Sequence, residues 1–147
     1  MHEKIEKVAV LGSGIMGAQI AGHLANAGIG SYLFDIDQEL ADKGRKSLLS
    51  IKPKPLYNPK YLDLVTPCNY DEHLEKIKDV DWVIEAVIEQ LNIKLEIYKK
   101  LTPFLKPSAI LSSNTSGIPL ENLTDKMSST LRKRFMITHF FNPPRYM

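Results

Sequence analysis

KVAVLGSGIMGAQIAGHLANAG, residues Lys7–Gly28, opens as a short apolar run and changes within a few residues to the spacing of a helix. Lys7 to Leu11 reads as a buried strand; from Ile15 onward the periodicity predicts a helix with Ile15, Ile20, Leu24 and Ala27 facing inward, stopped by Gly28 and Gly30. Between them lies GSGIMG, with glycines at 12, 14 and 17. In a strand–loop–helix context this is an anion cradle: Gly12 permits the tight turn, Gly14 lets the backbone approach a pyrophosphate, and Gly17 lets helix and strand pack closely. The free amides of the first helical turn, at Ile15 and Met16, attract the phosphates. Three turn glycines in a purely structural loop are the alternative, and the strand and helix on either side weigh against it.

The alternation continues along the chain. SYLFDI (31–36) reads as a second strand, and Asp37 as the N-cap of an amphipathic helix to about Leu49. The Pro-rich IKPKPLYNPKYLD (51–63) breaks the pattern and is the connection expected to vary or move most. A short run LDLVTP, a weak helix around Glu72 to Ile77, the strand DWVIEAV, the helix NIKLEIYKKL and the strand SAILSSN follow, and RFMITHFF (134–141) closes the series as a last strand. Strands joined by helices predict an α/β fold: a doubly wound, mostly parallel sheet of Rossmann type with helices on both faces. Such sheets bind ligands beyond the carboxyl ends of their strands.

Composition sets bounds on the rest. The 147 residues, 44% hydrophobic and 24% charged, suffice for one domain with a core. Nineteen Lys and Arg against seventeen Asp and Glu leave a formal charge of +2, spread along the chain, which points to neither nucleic acid nor an anionic membrane. Cys68 is the one cysteine, so neither an internal disulfide nor a metal site built on thiolates is expected. No stretch reads as a signal peptide or a membrane span, and a cytoplasmic location is the expectation.

Candidate site residues sit just after the strands. Asp35 ends the second strand, eighteen positions after Gly17, where a carboxylate can accept hydrogen bonds from an adenosine ribose. It would repel the 2′-phosphate of NADP, and no Arg or Lys follows until Lys43, so the expected cofactor is NAD. DWVIEAVIEQ carries Glu85 and Glu89. Glu85 lies beside buried apolar positions, so it must stand at the sheet's carboxyl edge or be paired. Lys94 follows Glu89 by five residues, and an ordinary surface ion pair is the competing reading for either acid. SSNTSG (112–117) brings amides and hydroxyls to the edge where a nicotinamide would lie, although any turn uses such residues. Among four histidines, His2 is terminal, His23 lies on the first helix and His73 on a polar stretch. Only His139, at the end of the last strand before a double-proline turn, is placed as a catalytic group; a hydrogen-bonded core histidine is the alternative.

Taken in order, VAVLGSGIMGAQIAGHLANAG, Asp35, DWVIEAVIEQLNIKLEIYKKL, SSNTSGI and HFFNPP resemble the NAD-binding domain of L-3-hydroxyacyl-CoA dehydrogenases, over nearly the whole chain. The Pro-rich segment is similar to that of bacterial multidomain members. The resemblance implies NAD-dependent oxidation of the 3-hydroxyl of an acyl-CoA in fatty-acid β-oxidation. His139 is implied as the general base, Ser116 as a contact to the substrate oxygen and Asn114 as its neighbour. Gly12, Gly14, Ile15, Met16, Gly17 and Asp35 would form the dinucleotide site, with Glu89 and Lys94 toward the nicotinamide half. In the family a glutamate about a dozen residues downstream orients the histidine, and a helical domain dimerises and closes over the acyl-CoA. Both would lie past Met147. The expectation is therefore a fragment, residues 1–147, that binds NAD with little activity alone and joins a homo-oligomer when the helical domain is present. A catalytically silent NAD-binding module and a dehydrogenase of small hydroxy acids are the competing functions.

Overall fold

The computed structural model describes residues 4–147, and His2 lies outside them. Six strands, β1 (Lys7–Leu11), β2 (Gly30–Asp35), β3 (Val65–Asn69), β4 (Trp82–Glu85), β5 (Ile110–Ser113) and β6 (Phe135–Ile137), form one sheet in the order β3-β2-β1-β4-β5-β6. Every neighbouring pair is parallel. The chain winds outward from β1 to β3, then crosses back to add β4 on the other side of β1. That reversal opens a crevice beyond the carboxyl ends of β1 and β4, where a sheet of this kind takes its ligand.

Strand β1 is buried on both faces, as its continuous apolar run requires. Val8 and Val10 join Leu33, Val65 and Ile84 on one face, under Ala18, Ile20, Ala21 and Ala25 of helix α1 (Ile15–Asn26). Leu48, just after helix α2 (Gln38–Ser47), closes that layer. On the other face Ala9 and Leu11 join Phe34, Val83 and Leu111 under Ile97, Tyr98 and Leu101 of helix α4 (Leu91–Leu101). Leu123 of α5 (Leu120–Thr124) and Leu131 of α6 (Ser129–Arg132) complete it. Each large aliphatic side chain so buried contributes about 1.5–3 kcal/mol.

Several local expectations are corrected. Ile15 is 68% exposed and Ala27 is exposed too. Helix α1 begins beyond the carboxyl end of β1, so its first turn has no sheet beneath it, and Ala27 is its C-cap. The buried stripe runs from Gly17 to Gly22 and ends at Ala25. Asp37 caps α2 as expected, accepting from the Leu40 amide at 2.8 Å, but the helix stops at Ser47. In place of a helix from Glu72 to Ile77 there is a single turn, α3 (Tyr70–His73), capped by Asn69, and then a 3-10 segment Leu74–Asp79.

RFMITHFF is not one long strand. Only Phe135–Ile137 lie in the ladder, which ends where the Thr138 amide reaches the Ser113 carbonyl at 2.9 Å. Asn114 Oδ1 then captures the Phe140 amide at 2.8 Å and turns the chain away. The sheet edge at β6 is correspondingly short. The Pro-rich connection holds a 3-10 segment, Pro59–Leu64, and is tied at both sides: Asn26 Nδ2 donates to the Pro55 carbonyl, and Arg145 donates to the carbonyls of Lys54 and Leu56. Among the described residues no helix is long and apolar enough to cross a membrane.

Candidate functional site

The glycine loop has the shape its sequence requires. Gly12 has φ +95°, and a Cβ there would stand 2.5 Å from the Ala86 carbonyl oxygen at the end of β4. A Cβ on Gly17 would lie 1.7 Å from the Gly12 carbonyl oxygen, so the helix touches the loop backbone directly. Gly14 differs from both: nothing lies within 4 Å of its absent Cβ, and it faces open space at the head of α1. No side chain caps α1 and no acid stands in its first turn, which leaves its leading amides, at Ile15 and Met16, for an anion from outside. The loop thus fits a dinucleotide pyrophosphate.

Asp35 closes the cradle on the β2 side. Its Oδ2 accepts from the Ser13 amide at 2.8 Å and from the Ser13 hydroxyl at 2.5 Å, while Oδ1 accepts from the Ile36 amide at 2.8 Å. A carboxylate has about four acceptor positions, so one remains for a ribose hydroxyl. The role of Ser13 was not legible from a position that the glycine pattern leaves unspecified; it locks the loop to the acid.

On the other side of the crevice the chain buries a charged network. Glu85 ends β4 with its side chain 0% exposed, paired in register with Leu11 of β1 and Ser113 of β5. Its Oε2 accepts from Lys94 Nζ at 2.6 Å and the Val87 amide at 3.1 Å; its Oε1 accepts from the Tyr98 hydroxyl at 2.6 Å and the Ser113 hydroxyl at 2.8 Å. Lys94 is 1% exposed and also reaches Glu89 Oε2 at 3.3 Å. For Glu85 the surface-pair reading is thereby overturned; Glu89 stays 45% exposed and meets Lys94 from the surface side. Helix α4 docks its Lys94 and Tyr98 face onto the sheet edge, and a charge taken there needs a partner. Lys94 is spent on the two carboxylates, so it acts toward any ligand through Glu89. Replacing Lys94 alone by Met, which leaves Glu85 buried and unpaired, is expected to destabilise the fold by about 3–5 kcal/mol in urea unfolding. A loss below about 1 kcal/mol would mean that the buried pair is not an ionic one.

Glu89 is the exposed end of this network. Burial alone would raise its carboxyl; the Thr115 hydroxyl that donates to it and the Lys94 ammonium outweigh that and hold it below the ordinary range. Its Oε1 also accepts from the Ser116 amide at 3.3 Å. Tyr98 and Thr115 are site residues that sequence reasoning missed. The i, i+4 spacing of Lys94 and Tyr98, two polar tips on the inward face of an amphipathic helix, was the available signal.

Asn114 joins this network to His139. Its amide donates to the Glu85 carbonyl at 2.8 Å, and its own carbonyl stands 3.2 Å from His139 Nδ1. A carbonyl can only accept, so Nδ1 is the donor, and whenever the ring is neutral its lone pair is at Nε2. The ring is exposed and packs edge-on to Phe141 at 5.3 Å. Ser116 is exposed on the same edge. Strands β1, β2, β4 and β5 with the turn after β6 therefore bring the sequence-predicted site residues to one rim, except Lys94, which lies buried on α4 beneath it. A cavity of about 350 Å³ beside it is bounded by Ile15, Gln19, Lys52 and Asn142; the larger concavity, about 610 Å³, lies between α4 and α5–α6 and is lined by none of the predicted site residues.

Comparison with known proteins agrees with this geometry. Residues 7–147 match the family model described as 3-hydroxyacyl-CoA dehydrogenase, NAD binding domain. The chain is 43% identical to a Deinococcus radiodurans protein and 40% identical to one from Bacillus subtilis, each named "Probable 3-hydroxyacyl-CoA dehydrogenase". The matches cover 98% and 100% of this chain but 44% and 21% of those proteins. The crystal structure of 3-hydroxybutyryl-CoA dehydrogenase from Escherichia coli K12 superposes with a TM-score of 0.85 at 26% identity, over 99% of this chain and 31% of that one. This chain thus spans from about a fifth to less than half of the length of these relatives.

Proposed function

Since the chain belongs to the 3-hydroxyacyl-CoA dehydrogenase family, through its NAD-binding domain, we propose that it forms the cofactor half of an enzyme that oxidises the 3-hydroxyl of L-3-hydroxyacyl-CoA to a ketone, as in fatty-acid β-oxidation. The observation that carries this reading is the position of His139: its ring is held through Nδ1 by Asn114, on the rim it shares with the glycine cradle. When bound, NAD supplies the hydride acceptor. Nε2 of His139 takes the hydroxyl proton, and in the reverse direction returns it, which an imidazole can do in both senses near neutral pH. Ser116 and Asn114 orient the substrate oxygen. The amides after Gly14 hold the pyrophosphate and Asp35 the adenosine ribose, which leaves the nicotinamide half on the side of β4, β5 and His139. Glu89, steadied by Lys94, borders that half. In this reading residues 1–147 form one NAD-binding unit, and the acyl-CoA is closed over by parts of the enzyme outside it.

Replacing Asp35 by Ala is the test of this orientation. NAD binding should weaken about tenfold with NADP gaining relative to it, because a carboxylate that both accepts from the ribose and repels a 2′-phosphate is gone. Competitive binding of the two nucleotides reads this out, and unchanged selectivity would place the adenosine elsewhere. In the full-length enzyme, L-3-hydroxyacyl-CoA should be oxidised in preference to the free short hydroxy acids; the opposite preference would favour a small-acid dehydrogenase.

A further inference from the structure

The buried network carries two carboxylates against one ammonium, and its one exposed member is Glu89. Lys94 lies closer to Glu85, at 2.6 Å, than to Glu89, at 3.3 Å, and both members of the closer pair are out of solvent. Glu85 and Lys94 therefore cancel, and the charge left at the rim is that of Glu89. This matters because the oxidised nicotinamide ring is a cation and the reduced ring is neutral. A negative charge beside it favours the oxidised form, and a low-dielectric setting enlarges the effect. Placing the nicotinamide beside Glu89 rests on the reading of the preceding section.

We infer that Glu85 is a positioning residue that sets the preference of this site for oxidised over reduced cofactor: by neutralising Lys94 from below, it leaves Glu89 free to act on the nicotinamide charge. Without Glu85, Lys94 would turn its whole charge on Glu89 and the rim would become neutral. Val87, Tyr98 and Ser113, which supply the other donors to Glu85, fix its oxygens so that it cannot swing away.

The test measures the dissociation constants of oxidised and reduced NAD on the same protein, reduced NAD by its fluorescence and oxidised NAD by displacement. Glu85→Gln should raise the ratio of the oxidised to the reduced constant about tenfold, the scale of one unit charge acting at several ångströms. Glu85→Gln with Lys94→Met should return the ratio to its starting value, since the rim again carries the charge of Glu89 alone. Glu89→Gln, an exposed change that leaves the buried pair in place, should raise the ratio like Glu85→Gln and serves if the buried variants fail to fold. A ratio unchanged in Glu89→Gln, or one still raised in the double variant, would overturn the inference, because loss of shape weakens both forms alike. Binding of neither form to the parent chain would instead defeat the cofactor reading and this inference with it.

Discussion

Replacing His139 by Ala in the full-length enzyme is expected to lower kcat by about 10²–10⁴-fold, the usual contribution of a positioned general base. The NAD dissociation constant should stay near that of the parent, because His139 lies beyond the glycine cradle and its one polar contact is to the Asn114 carbonyl. His139→Gln sharpens the test. A glutamine can keep the hydrogen bond to Asn114 while having no nitrogen lone pair to take a proton, so it should be as inactive as Ala if proton transfer is the function. Activity close to the parent in either variant would remove His139 from the mechanism. Activity retained in Gln but lost in Ala would make it a spacer.

Gly17→Ala has the other large expected effect, and it acts on the fold as well as on the ligand. The added methyl would stand 1.7 Å from the Gly12 carbonyl oxygen, a backbone atom with no rotamer to escape into. Helix α1 must back away from the loop, at an overpacking cost of about 1–3 kcal/mol. NAD affinity should fall at least about tenfold as the leading amides move off the phosphates. Gly14→Ala makes the contrast. Its backbone is at φ −65° and its methyl would meet nothing, so stability should hold while NAD binding weakens, because the methyl occupies the space a pyrophosphate needs. Parent-like NAD affinity in both variants, with only Gly17→Ala losing stability, would show that the loop is structural only.

What the sequence made legible was local. The strand, the glycine loop and the opening of α1 are contiguous, and their geometry follows from three residues that tolerate no side chain or need none. The place of Asp35 against that loop was legible from its distance along the chain, and the place of His139 at the rim from its position after the last strand. The Glu85 network was not legible, because its members come from residues 85, 94, 98 and 113 and meet only when α4 docks on the sheet. A spacing of five residues made Lys94 look like a surface partner of Glu89, and the one local sign of its burial was the i, i+4 spacing with Tyr98. Ile15 failed for a related reason: helical periodicity says which face a residue lies on, not whether the sheet extends far enough to cover it. The brevity of β6 came from a side chain, since Asn114, 26 residues earlier, takes the Phe140 amide that a longer ladder would have used.

The most direct test of the account is calorimetric titration of this 147-residue chain with NAD and, separately, with NADP. Saturable binding of NAD at one site, at least about tenfold tighter than NADP, is the predicted result if Asp35 takes the proposed place at the ribose, where a carboxylate repels a 2′-phosphate. Equal binding of the two nucleotides, or binding of neither, would contradict it.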